Sequence, residues 1–360
     1  MTMERDAVWM GEAVAEARRG VGLTRPNPPV GAVVVAKGKV VGRGFHPQAG
    51  KPHAEVYALA EAGRLARGAT LYVTLEPCST TGRTPPCTEA IKAAGIARVV
   101  YGCRDPNPRH AGRADRLLEA AGIAVTAGVL EEGCGGLIRP FAMFVTEGRP
   151  WVTLKLAVTL DGRIADRRGT SQWITGEEAR ASVQDLRRTA DAILVGAETL
   201  RADDPSLLPR PALGRKPWRA VVAGSRRLPL SARLFTDPAS SRTVVFATEG
   251  HRWRPGLVRA GIDVVDLQGR GRMAPVKRVL GELAERSCLH VVCEGGGILA
   301  GELLKADVVD EIWLYLAPKL LGGGGRASVG GPGWLLQNAP RFRLAEVIRL
   351  GDDVLLKARK

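Results

Sequence analysis

The sequence predicts an α/β protein of two domains. Three observations carry this reading. Strand-like and helix-like segments alternate through both halves, the pattern of a largely parallel sheet covered by helices. Glu147-Gly148-Arg149-Pro150 interrupts that pattern with residues that oppose a continued helix. The 360 residues also exceed the ~100–200 that one core usually organises. Residues 1–146 therefore form the first domain and residues 150–360 the second.

In the first domain Ala7, Met10, Val14 and Ala17 share one helical face, and Gly20 closes that helix. Segments 30–35 and 40–45 are rich in β-branched residues and flank Lys37-Gly38-Lys39, which makes a hairpin. Pro52 opens a helix over 53–66, followed by a strand at 70–75 and a helix at 86–94. A strand at 98–101, a helix at 113–121, a strand at 123–125 and a closing helix at 131–146 complete the domain. In the second domain strands are expected at 151–158, 192–195, 219–222, 243–247, 289–293 and 312–316. Helices are expected over 176–188, 276–286 and 298–306, and glycines 322–325 read as a loop.

Composition narrows the class. Hydrophobic residues at 45% and charged residues at 25% exclude wholesale disorder. Mean hydropathy is −0.03, and no apolar run approaches the ~18–20 residues of a membrane helix. The first residues carry acids and lack a signal peptide's apolar centre, so a cytoplasmic location is expected, with no membrane partner. The net charge of +15, from 41 Arg and 11 Lys against 37 acids, suits anionic ligands and is spread through both parts. Six cysteines are too sparse for a disulfide scaffold. Cys103, Cys134, Cys288 and Cys293 read as small core residues; only Cys78 and Cys87 have neighbours that argue for metal.

Those neighbours are Pro52-His53-Ala54-Glu55 and Glu76-Pro77-Cys78. The His53 imidazole and the Cys78 and Cys87 thiolates make a three-ligand zinc set. A catalytic zinc site keeps three protein ligands and leaves the fourth position to water, whereas a structural site normally has four, and no fourth stands nearby in sequence. Cys87 follows Pro85-Pro86 at an expected helix start, where the positive dipole end favours the thiolate. Mid-helix, a spacing of two would splay His53 and Glu55 apart, so both belong in a first turn. Glu55 is expected to carry protons and not to ligate.

This arrangement resembles the cytidine deaminase-like zinc deaminases, whose signature is H-x-E with P-C-x-x-C. Eight residues separate Cys78 from Cys87 here, and the insert ending Gly82-Arg83-Thr84-Pro85-Pro86-Cys87 is similar to the riboflavin-pathway branch. The resemblance to the bacterial bifunctional riboflavin deaminase/reductase family extends over nearly the whole chain. Arg25-Pro26-Asn27-Pro28-Pro29-Val30-Gly31 and Gly44-Phe45-His46 carry it in the first domain. In the second it rests on Leu154-Lys155-Leu156-Ala157, Leu160-Asp161-Gly162-Arg163, Ser171-Gln172-Trp173-Ile174-Thr175, Gly196-Ala197-Glu198-Thr199 and Asp203-Asp204-Pro205-Ser206-Leu207.

The resemblance implies a cytidine deaminase-like domain followed by a dihydrofolate reductase-like domain, with Zn2+ and NADPH as cofactors. It implies deamination of 2,5-diamino-6-(5-phosphoribosylamino)pyrimidin-4(3H)-one and then reduction of the ribosyl chain to give 5-amino-6-(5-phosphoribitylamino)uracil. Asn27 and His46 would line the pyrimidine pocket and Arg83 would touch substrate. Ala157, Trp173, Thr199, Asp203, Ser225 and the run Gly296, Gly297, Ile298, Leu299, Ala300, Gly301, Glu302 would meet the nicotinamide cofactor. Lys155, Ser171, Arg187, Leu207, Arg210 and Glu294 would face the reductase substrate. Arg187 and Arg210 suit a ribose 5-phosphate because guanidinium binds phosphate bidentately. Homo-oligomers formed through the reductase half are implied as well. Two positions depart from the family pattern: Thr80 stands where His is usual, and Gly224 where Asp commonly precedes the serine.

The residues alone leave several points open. From Leu289 to Gly301 a strand runs into glycines and then a helix, which suits a phosphate without matching G-x-G-x-x-G. Glu294, Lys155 and Asp161 are unranked as proton carriers for the reduction. Two rival readings are a tRNA or nucleoside deaminase fused to an accessory domain and a zinc-stabilised nucleic-acid-binding protein. Long Cys spacing weighs against the first; dispersed bases and 5% aromatics weigh against the second. The expected partner is a small phosphoribosyl pyrimidine, not nucleic acid.

Overall fold

The computed structural model describes residues 3–81, 85–108, 110–212, 215–224, 227–247, 254–267 and 276–360. Arg83 and Ser225, both expected at ligands, lie outside the described residues. The chain divides into two compact units, Met1–Arg149 and Pro150–Lys360.

The first unit runs α1 (Met3–Arg19), β1 (Gly31–Ala36), β2 (Lys39–Phe45), α2 (Ala54–Ala62), β3 (Thr70–Leu75), α3 (Cys87–Ala93), β4 (Arg98–Cys103), α4 (Arg113–Glu119), β5 (Ala124–Ala127) and α5 (Glu131–Glu147). Its sheet has the order β2-β1-β3-β4-β5, antiparallel across β2-β1-β3 and parallel across β3-β4-β5. Every residue of β3 is buried, as the covered middle strand of such a sheet requires. Three glycines let helices approach the sheet backbone. A Cβ on Gly31 would lie 2.1 Å from the Ala13 carbonyl of α1, and one on Gly42 would lie 2.1 Å from Ala58 of α2. A Cβ on Gly44 would lie 2.3 Å from the Ala54 carbonyl, so the start of α2 is seated directly on β2. This seating fixes the turn that carries His53 and Glu55.

Two expected boundaries move. The helix expected over 53–66 ends at Ala62, where Gly63 takes φ 51°, and Gly63–Ala66 continues as a 3₁₀ turn. The strand expected at 123–125 begins one residue later and runs to Ala127, with Ile123 buried before β5. Cys103 and Cys134 pack in this unit's core, and Cys288 and Cys293 in the core of the second.

The second unit contains β6 (Trp151–Thr159), β7 (Arg163–Ala165), α6 (Glu177–Thr189), β8 (Ala192–Gly196), α7 (Ala197–Asp203), β9 (Trp218–Gly224), α8 (Arg233–Thr236) and β10 (Thr243–Ala247). It continues with α9 (Arg254–Arg259), β11 (Asp263–Asp266), α10 (Val276–Glu285), β12 (His290–Cys293), α11 (Gly297–Lys305), β13 (Glu311–Ala317), β14 (Arg326–Ala327), β15 (Arg343–Leu350) and β16 (Asp353–Arg359). The main sheet has the order β11-β10-β9-β8-β12-β6-β13-β16-β15. It is parallel from β11 to β13 and ends in the antiparallel hairpin β16/β15. The C-terminal hairpin, β11 and α7 are absent from the sequence reading. β15 is an edge strand exposed along most of its length, so it lacks the in/out alternation that marks a half-buried strand. The glycine loop is also shorter than expected: Gly296 is the N-cap and α11 already begins at Gly297.

Candidate active sites

The first site gathers at the start of two helices. His53 is the N-cap of α2 with extended backbone (φ −77°, ψ 167°), Glu55 lies in the first turn, and Cys87 is the first residue of α3. His53 Nδ1 lies 3.3 Å from Cys87 Sγ and 3.4 Å from Cys78 Sγ. Zinc bound tetrahedrally, at ~2.3 Å to sulfur and ~2.0–2.1 Å to nitrogen, would hold such donors about 3.6 Å apart. These three are the described residues whose ligand atoms cluster for a metal, all within 4.8 Å of one another. The Cys87 N–H donates to Cys78 Sγ at 3.2 Å. Hydrogen bonding from Cys87 holds the Cys78 thiol down to about 4, while the same contact pushes Cys87 up. Glu55 is 3% exposed, and its Oε2 has no hydrogen-bond partner. Burial pushes its carboxyl up to about 7. An unpartnered carboxylate oxygen beside three metal donors fits a zinc centre with a proton carrier at its open side.

Asn27 and His46 sit beside this cluster. The His46 and His53 rings meet edge to face at 5.2 Å. The Pro52 carbonyl can only accept, so His46 Nδ1 donates to it at 3.0 Å. Nε2 then accepts from the Asn27 amide at 3.1 Å. Burial lowers the His46 pKa, in keeping with a neutral ring.

In the second unit a polar group gathers around the C-terminal ends of β8 and β12, where open α/β sheets hold ligands. Arg187 of α6 grips Glu294 bidentately, Nε to Oε1 at 2.6 Å and Nη2 to Oε2 at 2.8 Å, with both side chains largely buried. Lys155, on β6, is electrostatically coupled to Glu294, Arg187 and Asp203, and burial lowers its pKa. Its ammonium lies 5.7 Å from the Tyr315 ring centroid, and Ala157 follows two residues on along the same face of β6. Ser171 Oγ donates to Asp203 Oδ1 at 2.8 Å, and the Gly296 N–H donates to Thr199 Oγ1 at 3.1 Å. Trp173 is 61% exposed, with the Arg180 guanidinium 4.8 Å from its ring.

Comparison with known proteins decides the family. The RibD C-terminal domain model matches residues 150–356, and the cytidine and deoxycytidylate deaminase zinc-binding region matches residues 3–103. A riboflavin biosynthesis protein RibD from Aquifex aeolicus is 41% identical over 358 residues, 99% of each chain. The chain belongs to the RibD family. Among solved structures, RibD from Acinetobacter baumannii is 38% identical with a TM-score of 0.89 and covers 99% of each chain. A Thermotoga maritima diaminohydroxyphosphoribosylaminopyrimidine deaminase/5-amino-6-(5-phosphoribosylamino)uracil reductase, also 38% identical, gives 0.88 over 99% of each chain. The expected α/β fold class, a cytidine deaminase-like domain followed by a reductase domain, holds for this chain.

Other expected residues of this RibD chain sit differently from the sequence picture. Leu299, Ala300 and Gly301 are buried inside α11, while Ile298 is 54% exposed and Glu302 half-buried. A Cβ on Gly301 would lie 2.1 Å from the Gly330 carbonyl, and one on Gly297 would lie 2.5 Å from the Ala327 carbonyl. These two glycines make room for the chain's own backbone, so the argument that they admit a phosphate is corrected; Gly296, Thr199 and the start of α11 remain as a setting that fits a cofactor phosphate. Leu207, at φ 56°, buries its side chain in the core and offers a ligand only backbone. Arg210 is exposed and tied to α6 through its backbone N–H to Gln184 Oε1.

The sequence reading missed Glu76 and His110. The Glu76 carboxylate accepts the backbone N–H groups of Asp105, Gly112 and Ala114, at 3.3, 3.0 and 3.2 Å, and so shapes the segment after β4. Its place in Glu76-Pro77-Cys78 was the available signal. His110, on that segment, approaches the departure at Thr80: its Nδ1 is 3.3 Å from Thr80 Oγ1.

Proposed function

We propose that the first unit hydrolytically deaminates 2,5-diamino-6-(5-phosphoribosylamino)pyrimidin-4(3H)-one and that the second reduces the ribosyl chain of the product with NADPH. The carrying observation is the His53–Cys78–Cys87 donor cluster with the buried, unpartnered Glu55 Oε2 beside it. His53, Cys78 and Cys87 hold zinc, which supplies Lewis acidity when bound. Glu55 takes a proton from the attacking water and passes it to the ring nitrogen and the leaving amine; the C2–N bond breaks, a carbonyl forms and ammonia leaves. Asn27 and His46, tied to each other, orient the pyrimidine. Arg83 joins them from outside the described residues.

In the second unit NADPH supplies a hydride when bound. Ala157, Trp173, Thr199, Asp203, Ser225 and the start of α11 hold that cofactor, while Ser171, Leu207, Arg210 and the Arg187–Glu294 pair position the substrate. The ring-opened C1′=N bond would take the hydride at C1′ and one proton at nitrogen, and Lys155 delivers that proton. Two rivals to it are weak. Asp161 is held down to about 2 by the Thr159 hydroxyl and by the N–H groups of Leu321 and Gly322. Burial works to raise Glu294, but Arg187 outweighs it and keeps Glu294 a carboxylate.

The test is one coupled assay that follows ammonia and nicotinamide absorbance separately. Zinc-loaded protein should release ammonia and then oxidise NADPH. Chelation should abolish ammonia release yet leave reduction of the deaminated intermediate intact. A zinc-loaded protein that releases no ammonia would sink the deaminase reading.

Two further readings accompany this one. The second unit pairs with another copy through edge strand β15, where Leu344 is 57% and Val347 61% exposed. Val347→Arg should then lower the mass seen in sedimentation, and an unchanged mass would rule this edge out. The chain works in the cytoplasm, a reducing compartment that keeps Cys78 and Cys87 available as thiolates; among the described residues no helix is long and apolar enough to cross a membrane.

A further inference from the structure

A cavity of about 560 Å³ opens beside the first site, lined by Thr80, Asn107, Pro108, His110, Ala111, Arg113 and Arg116. Among the described residues two guanidinium groups, an imidazole, a hydroxyl and a carboxamide line it, and no carboxylate does. The nearby acids are committed elsewhere. Glu76 accepts three backbone N–H groups, Asp105 Oδ1 accepts the Asn107 N–H at 2.8 Å, and Asp115 accepts the Tyr101 hydroxyl and pairs with Arg104 at 3.1 Å. Such a lining selects an anion.

Its position selects which anion. Thr80 follows Cys78 by two residues, at most ~7 Å of extended chain, so the cavity wall starts where the metal donors end. A pyrimidine held at Glu55 and His46 would carry its phosphoribosyl group outward over about that distance. The imidazole that Thr80 lacks is returned from another segment: His110 Nδ1 lies 3.3 Å from the Thr80 hydroxyl, and where that hydroxyl donates, the ring proton sits on Nε2 as a donor.

We propose that His110 and Arg116, with Arg113, form the phosphate-monoester subsite of the first unit, and that they set its preference for the phosphorylated substrate. This rests on the deaminase reading above, but it can be tested apart from activity. Full-length, metal-free protein labelled with ¹³C at histidine ε1 carries five histidines, and His110→Gln identifies the His110 signal by its loss. Ribose 5-phosphate should shift that signal in a saturable way, more strongly than inorganic phosphate, and Arg116→Ala should weaken the binding by about 10-fold or more. In the zinc-loaded enzyme, His110→Gln with Arg116→Ala should raise the deaminase KM for the phosphorylated substrate by about 10–100-fold. Use of the dephosphorylated substrate and of the reductase substrate should be unchanged, as should zinc content. A His110 signal unmoved by ribose 5-phosphate, or moved equally by inorganic phosphate, overturns the subsite. Equal KM losses on phosphorylated and dephosphorylated substrates overturn it too. Absence of ammonia release by the wild type would instead strike the deaminase reading, leaving the histidine result to decide the subsite.

Discussion

Glu55→Gln retains zinc at the wild-type stoichiometry and loses deamination by about 10²–10⁴-fold, the usual range for a positioned general acid–base. The substitution keeps the volume of a side chain that is 3% exposed and leaves His53, Cys78 and Cys87 in place. It removes only the capacity to accept and return a proton at Oε2, the atom with no other partner. Elemental analysis and an ammonia assay read the two halves of the claim. Loss of zinc together with activity would make Glu55 a ligand; full deamination would remove it from the mechanism.

A stability signature accompanies this in the metal-free protein. Burial raises the folded Glu55 to about 7 from an ordinary value near 4.5. A carboxyl raised in this way binds its proton more tightly when folded, so its favourable contribution is present below the unfolded value and is lost as pH rises through about 7. Metal-free Glu55→Gln should therefore match wild type at pH 4 and exceed it at pH 8. A denaturant melt at both pH values checks the sign, and equal stability at pH 8 would contradict the buried state of this carboxyl.

The zinc donors were legible because their identity is a matter of residue chemistry and spacing. An imidazole and two thiols on separate expected helix and loop starts make a donor set that suits a metal. What the sequence could not show is which groups tertiary folding returns to the same place. His110 lies thirty residues from Thr80 and meets it on a segment whose backbone Glu76 binds on both sides, at Asp105 and Gly112. The resemblance implies that Arg187 and Glu294 both face the substrate, and nothing in the sequence shows that they grip each other over a separation of 107 residues. Glycine was the most ambiguous signal. At Gly297 and Gly301 the missing side chain admits the backbone of 327–330, and sequence does not distinguish that from room for a ligand. The exposed edge strand β15 escaped for a different reason: burial creates the alternation from which strands are read, and little of it is buried.

Lys155→Met is expected to lower the reductase kcat by about 10²–10⁴-fold while leaving deamination untouched. The reduction needs one proton besides the hydride, and Lys155 is the proposed donor. Asp161 is ionised down to about 2, and Arg187 keeps Glu294 ionised below the ordinary carboxylate range. Burial pulls the Lys155 ammonium below its usual value, against the pull of Glu294, which makes it a better acid than a surface lysine. The donor must be protonated, so the wild-type kcat should fall on the alkaline side at a pH below ordinary lysine titration, and the Met variant should lack that limb. Stability should move the opposite way from activity. A lysine whose folded value is depressed releases its proton more readily folded than unfolded, so at neutral pH its charge weighs against the folded state. Replacement by an apolar chain of similar length removes that penalty, while Glu294 keeps its bidentate partner in Arg187. The second unit should therefore unfold at higher denaturant in Lys155→Met than in wild type at pH 7. A variant that is inactive and less stable would mark Lys155 as a packing residue, and one that keeps kcat within threefold would give the proton to another group.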